Sequence, residues 1–189
     1  DAADYLNVYN DQFDNLFTAG MVLGISGDRV PNLLYRLRNG EMPPLAAAAA
    51  NNPLIYWIEI GTNDLSDGCS ADAVFVGILN LVAELRVKRP GSVVVVNSIL
   101  PRENGYWETE ITEVNSMLEC YARAIRIPGI IPYVDKFQYF DATALFMNLA
   151  GTNINYDLMP DGLHPSPMGY RVWGTALLVR LLRIMTPVP

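Results

Sequence analysis

Four short apolar runs alternate along this chain with segments whose apolar residues recur at helical spacing. That alternation limits the possible fold more than any other feature. The runs are MVLGI (21–25), LIYWIEI (54–60), SVVVVNSIL (92–100) and IIPYV (130–134). Their apolarity is nearly continuous, the pattern of strands covered on both faces of a parallel sheet. Between them, Val30, Leu33, Leu34 and Leu37 form one stripe over 30–39, with Gly40 at the place of a C-cap glycine. Val74, Ile78, Leu81, Val82 and Leu85 form another over 71–88, behind Ser70 as N-cap. Ile111, Val114, Leu118 and Ala122 do the same over 109–126. A last helix is expected from about 166 to 185, opened by Ser166 as cap and Pro167 at the first helical position. Together these elements predict an α/β fold, a flavodoxin-like, doubly wound parallel sheet in a three-layer α/β/α sandwich.

With 189 residues the chain has the length of one domain, and 51% hydrophobic against 17% charged residues gives it material for a core. Only PPLAAAAANNP (43–53) reads as a low-complexity connector. A net charge of −7 without any Lys/Arg cluster argues against nucleic acid and anionic membrane surfaces as partners. No apolar run is long enough to span a bilayer. Cys69, Cys120 and a single histidine make neither a disulfide framework nor a metal knuckle, so no metal or cofactor is expected. The opening DAADYLNVYND is acidic and unlike a secretory signal, and no Asn-x-Ser/Thr site occurs. Those features lean toward a cytoplasmic protein without fixing the compartment.

In an open parallel sheet, chemistry gathers in the loops that lead from strand ends into helices. Three such loops stand out. GISGDR (24–29) places Gly27, whose N–H no side chain obstructs, just before a helix start. Alone it is better explained by a tight strand-to-helix turn, and it lacks the dinucleotide fingerprint. IEIGTNDLSDG (58–68) puts Asn63 just past a strand, where an uncharged amide can meet a developing oxyanion or simply close an Asx turn. DGLHP (161–165) holds the chain's one histidine, with Gly162 and Pro165 excluding continuous helix. Asp161, three residues before His164, can accept from the imidazole Nδ1–H and leave Nε2 as a general base.

These residues also carry a likeness. GISGDRVPNLLYRLRNGEMP (24–43), IGTND (60–64), ILPRENG (99–105) and DGLHPSPMGY (161–170) resemble the SGNH hydrolase superfamily, the GDSL-type esterases and lipases. Within it they are most similar to the branch of the platelet-activating-factor acetylhydrolase catalytic subunits. The likeness runs from about residue 20 to the final helix. It implies that Gly27 and Asn63 are oxyanion donors, that His164 is the base, and that Asp161 orients it.

The same likeness calls for a serine in a Gly-Asp-Ser motif leaving the first strand, and no such motif is present. Ser26 belongs to the glycine loop, and Ser66, Ser70 and Ser98 lack the context of a nucleophile elbow. Counting back through DYLNVYNDQFDNLF (4–17) and MVLGI puts the nucleophile at Asp1–Ala2 or just upstream of Asp1. In one register Ala2 stands where the serine would be. The first, central strand would then also lie upstream, supplied by a preceding segment or by another chain. A sheet without it would expose two inner edges. The expectation is therefore a single SGNH-type domain over 1–189 that lacks its first strand and nucleophile block.

The leading reading is a serine esterase acting on a small ester, with short acyl groups such as acetyl favoured because no loop is long enough to form a lid. The alternative is a catalytically inactive SGNH-fold domain that serves as a binding or structural subunit. A flavodoxin-like nucleotide-binding module is disfavoured by the lack of a phosphate loop. Tyr106 and Trp107 are candidates to flank the cleft, or to pack in the interior.

Overall fold

The computed structural model describes residues 22–42, 54–103, 108–125 and 136–185. They fall into two compact units, one drawn from 27–42, 54–99, 108–125 and 136–141, the other from 22–26, 100–103 and 142–185.

The first unit carries the sheet. Its strands β1 (Ile55–Ile58), β2 (Val93–Asn97) and β3 (Phe137–Phe140) are all parallel and ordered β1-β2-β3. Tyr56 lies opposite Val94, and Val94 opposite Phe137. Side chains alternate between faces along a strand, so Tyr56, Ile58, Val94, Val96, Phe137 and Tyr139 share one face. That face joins a single apolar cluster with three helices, α1 (Val30–Arg38), α3 (Ala71–Lys88) and α4 (Glu108–Ala124). A five-residue helix, α2 (Thr62–Ser66), follows β1.

Each helix forms where its periodicity places it. All five residues of the α3 stripe and all four of the α4 stripe are buried. A fully buried side chain such as Ile78 or Leu81 contributes about 1.5–3 kcal/mol relative to exposure. Ser70 Oγ accepts from Ala73 N–H at 3.3 Å, which satisfies one of the open donors at the start of α3. At its other end Lys88 Nζ donates to Leu37 O at 2.7 Å, so α3 also closes the C-terminus of α1. Asn115 continues the ladder past β2 by pairing with the Ile99 N–H (2.8 Å) and C=O (2.9 Å).

Two expectations need correction or a boundary. Residues 22–25 of MVLGI form no strand, and Val22, Leu23 and Ile25 are exposed. A strand exists only as a pairing, and no strand pairs with 22–25 among the described residues. The run IIPYV (130–134) lies outside the described residues, and the observed third strand is Phe137–Phe140. Tyr106, Trp107, Asp1 and Ala2 are outside them as well. Cys69 and Cys120 are both free thiols at the surface.

In the second unit, a 3₁₀ turn (Thr143–Phe146) and the Met147–Ile154 bridge precede the last helix, α5 (Pro167–Met185). Phe146 is buried and meets Trp173 of α5 edge-on, with ring centroids 6.0 Å apart. Ser166 caps α5 as expected, its Oγ accepting from Gly169 N–H at 3.1 Å while donating to Asp157 O at 2.9 Å. Gly169 has no substitute, because a Cβ there would stand 2.3 Å from the Leu158 carbonyl oxygen. No helix of the described residues is long and apolar enough to cross a membrane.

Candidate active site

Gly27 and Asn63 are brought together inside the first unit. The chain turns at Ser26–Gly27, with Gly27 at φ +76°, a left-handed conformation that glycine takes without a Cβ penalty. Among the described residues, nothing lies within 4 Å of where its Cβ would be. After β1 the chain reverses at Gly61, which has φ +118° and leads into α2. A Cβ on Gly61 would sit 2.8 Å from Ile99 Cδ1 and 2.9 Å from Val74 Cγ1. The glycine of IGTND thus lets the backbone approach the core closely enough to set Asn63 in the first turn of α2.

Three contacts lace these segments together. Asn63 Nδ2 donates to the Asp28 carbonyl at 2.9 Å. Val30 N–H, at the start of α1, points at both carboxylate oxygens of Asp64, 3.2 and 3.1 Å away. Arg29 pairs with Asp67. Asp64 is only 4% exposed. Desolvation raises its carboxyl above the ordinary range, against the Val30 N–H, which favours the charged form. An amide nitrogen carries two hydrogens, and Asn63 uses one to fix its plane against Asp28.

Asp161 and His164 are joined inside the second unit. Asp161 Oδ1 accepts from the Leu163 N–H at 2.9 Å and the His164 N–H at 2.7 Å, which is what makes 161–164 a turn. Its other oxygen, Oδ2, meets His164 Nδ1 at 2.7 Å. The His164 N–H first, then the imidazole, hold the Asp161 carboxyl well below the usual carboxylate range. A carboxylate that stays ionised keeps the proton on Nδ1 and leaves Nε2 as the basic nitrogen. Gly162 has φ +69°, and its carbonyl accepts from Glu103 N–H at 2.8 Å. Tyr156 Oη donates to Glu103 Oε1 at 3.2 Å.

Asp161 and His164 are thus in contact and Asn63 is bonded to the residue after Gly27, while the nucleophile register at Ala2 lies outside the described residues. Several residues of these surroundings carried no signal of their own in the sequence. Asp28, Asp64 and Glu103 are ordinary acidic residues in the sequence until the fold brings donors from 34 or more residues away to the Asp28 carbonyl and to the Asp64 and Glu103 carboxylates. Arg36 and Glu41 stood in RLRNGE only as part of a likeness. No group of three or more His, Cys, Asp or Glu arranged to hold a metal occurs among the described residues.

The profile of the GDSL-like Lipase/Acylhydrolase family matches residues 2–172. The platelet-activating factor acetylhydrolase IB subunit alpha1 of Bos taurus is 32% identical over 163 residues, 86% of this chain and 63% of that protein. The chain thus spans somewhat under two thirds of the length of this relative. Among solved structures, a putative acylhydrolase from Bacteroides fragilis superposes with a TM-score of 0.73 at 19% identity, covering 97% of this chain and 83% of that one. An acetyl-xylooligosaccharide esterase from Geobacillus Stearmophilus gives 0.65 at 18% identity, covering 95% and 80%. These two likenesses concern the fold, an α/β arrangement with a parallel sheet flanked by helices.

Proposed function

Because the chain belongs to the GDSL-like lipase/acylhydrolase family, we propose that it carries the base, its orienting carboxylate and the oxyanion donors of a serine esterase for short-acyl esters, acetyl above all. The observation that carries this reading is the Asp161–His164 contact, 2.7 Å between Oδ2 and Nδ1, with the other carboxylate oxygen tied down by two backbone N–H groups. A histidine so held has one nitrogen committed and one available.

In the proposed reaction a serine Oγ attacks the ester carbonyl carbon and His164 Nε2 takes its proton. The carbonyl oxygen becomes an oxyanion, which accepts from Gly27 N–H and Asn63 Nδ2. The ester C–O bond then breaks, and His164 returns the proton to the departing alcohol. Water, deprotonated by the same histidine, attacks the acyl carbon, the acyl–Oγ bond breaks, and His164 gives the proton to the departing serine Oγ as the acid leaves. Asp161 stays ionised throughout and stabilises the imidazolium. The nucleophile is the one member of this set that Gly27, Asn63, Asp161 and His164 do not themselves provide. The names of the acetylhydrolase and acetyl esterase relatives support an acetyl ester as substrate.

One observation favours a second reading. Ala2 occupies the nucleophile position in one register, and a chain with alanine there would be an inactive SGNH-fold subunit that binds rather than hydrolyses. A fluorophosphonate probe on the native polypeptide separates the two, since only an activated serine is labelled. Labelling, with acetyl ester hydrolysis falling about 10²–10³-fold in Asn63→Ala, is the expected result. No labelled serine would leave the binding subunit, and labelling with an unchanged Asn63→Ala rate would remove Asn63 from the oxyanion hole.

A further inference from the structure

Gly27 and Asn63 share one support, residue Asp28, and that residue is held from its far side. Its carbonyl accepts from Asn63 Nδ2 at 2.9 Å. Its side chain accepts a two-pronged grip from Arg36, Nη1 to Oδ1 at 2.7 Å and Nη2 to Oδ2 at 2.6 Å. The third edge of the same guanidinium, Nε, donates to Glu41 Oε1 at 2.7 Å. All three side chains are largely buried, at 12%, 21% and 14% exposure for Asp28, Arg36 and Glu41. The other Glu41 oxygen, Oε2, is buried with no hydrogen-bond partner among the described residues. Removing the arginine would therefore leave two buried carboxylates facing each other without a cation.

We propose that Arg36 is a positioning residue for the oxyanion-binding end of the site: its fork fixes Asp28, and Asp28 in turn fixes the Asn63 amide and the Gly27 peptide beside it. This rests on the reading of Asn63 as an oxyanion donor. The chemistry requires arginine in particular. A planar fork with parallel N–H groups sets both the distance and the rotation of a carboxylate, whereas a lysine ammonium sets distance alone. Asp28 has little freedom once both its oxygens are held, and its carbonyl direction is then determined as well. The Asp28 carboxylate first, and Glu41 after it, also raise the affinity of the guanidinium for its proton, so the clamp is charged at every working pH.

Arg36 in this role differs from a general staple of the fold. A staple would change stability and leave the oxyanion step alone. A positioning residue acts on kcat through Asn63, and misplacement of a donor by about 1 Å costs up to about 10²-fold. The experiment has two arms on the native polypeptide. In the first, the side-chain amide resonances of Asn63 are followed by ¹⁵N NMR in wild type, Arg36→Lys and Arg36→Met. The expected result is one protected, downfield Asn63 amide proton in wild type that exchanges freely in both variants, while the α3 backbone resonances stay in place. An Asn63 pair unchanged in both variants overturns the proposal, whether or not the protein hydrolyses esters.

In the second arm, acetyl ester hydrolysis is measured for Arg36→Lys, Asn63→Ala and the double variant. Arg36→Lys should lower kcat about 10- to 100-fold with KM nearly unchanged. In the Asn63→Ala background the same change should cost less than about 3-fold, because the donor through which Arg36 acts is gone. Full additivity would refute the positioning role. If Asn63→Ala alone leaves the rate unchanged, the oxyanion reading has failed, and the NMR arm still decides whether Arg36 orients the amide.

Discussion

Replacing Gly162 by alanine places a methyl group against the Glu103 side chain, within the turn that joins Asp161 to His164. At φ +69° an L-residue costs about 1–2 kcal/mol relative to glycine. The added Cβ would stand 2.3 Å from Glu103 Cβ and 2.6 Å from Glu103 Oε2. Carbon atoms in contact prefer about 3.5–4.0 Å. The carboxylate can swing away, but Glu103 Cβ is fixed to a backbone whose N–H is bonded to Gly162 O at 2.8 Å. Relief thus requires the two segments to part by more than about 1 Å, losing a bond worth about 0.5–1.5 kcal/mol net. Summed, the cost is about 1.5–3.5 kcal/mol, a large fraction of the stability of a domain of this size.

Urea denaturation measures that cost directly, as a fall in midpoint at constant slope. Substitutions at 103 then identify its source. Glu103→Gly removes the Cβ, and in that background Gly162→Ala should keep only the left-handed strain of about 1–2 kcal/mol. Glu103→Ala keeps the Cβ while losing the carboxylate, so the full cost should persist. The reasoning is refuted if Gly162→Ala costs under about 0.5 kcal/mol, or if Glu103→Gly and Glu103→Ala relieve it equally.

Two further outcomes concern protons. Asp161 is held far below the ordinary carboxylate range, so it remains ionised as His164 takes up its proton, and the acid limb of kcat/KM for an acetyl ester should have unit slope. A slope of two would mean that Asp161 is protonated in the same range. Glu59, just after β1, has a solvent-accessible surface, yet enough protein surrounds it that desolvation pushes its carboxyl from 4.5 to about 7. A carboxyl raised on folding binds more protons in the native state between those values, so its contribution to stability is present below pH 4.5 and is lost as pH rises through about 7. Glu59→Gln should therefore be more stable than wild type at pH 8 and no more stable at pH 4, and denaturation midpoints that move together at both values would contradict this.

The amino-acid sequence was sufficient for features whose cause is local. A helix is a relation between residues three and four apart, so the Val74–Leu85 and Ile111–Ala122 stripes and the caps Ser70 and Ser166 could be read directly. The Asp161–His164 pair was legible for the same reason, since it spans three residues and Gly162 with Pro165 confine it to a turn. Strands depend on partners. MVLGI has strand composition, but over 22–25 it pairs with none of the described residues, whereas FQYF, with a glutamine in its middle, becomes β3 because Val94 and Val96 stand beside it. Only the tertiary structure could connect Asn63 to Asp28, Asp64 to Val30, or Glu103 to Gly162, contacts that cross 34 to 59 positions. Asp28 and Arg36 are just eight apart, yet their role emerges only when Asn63 arrives at the Asp28 carbonyl from another part of the chain. Sequence names the groups able to do chemistry; the folded chain decides which carbonyl, N–H or guanidinium aims them.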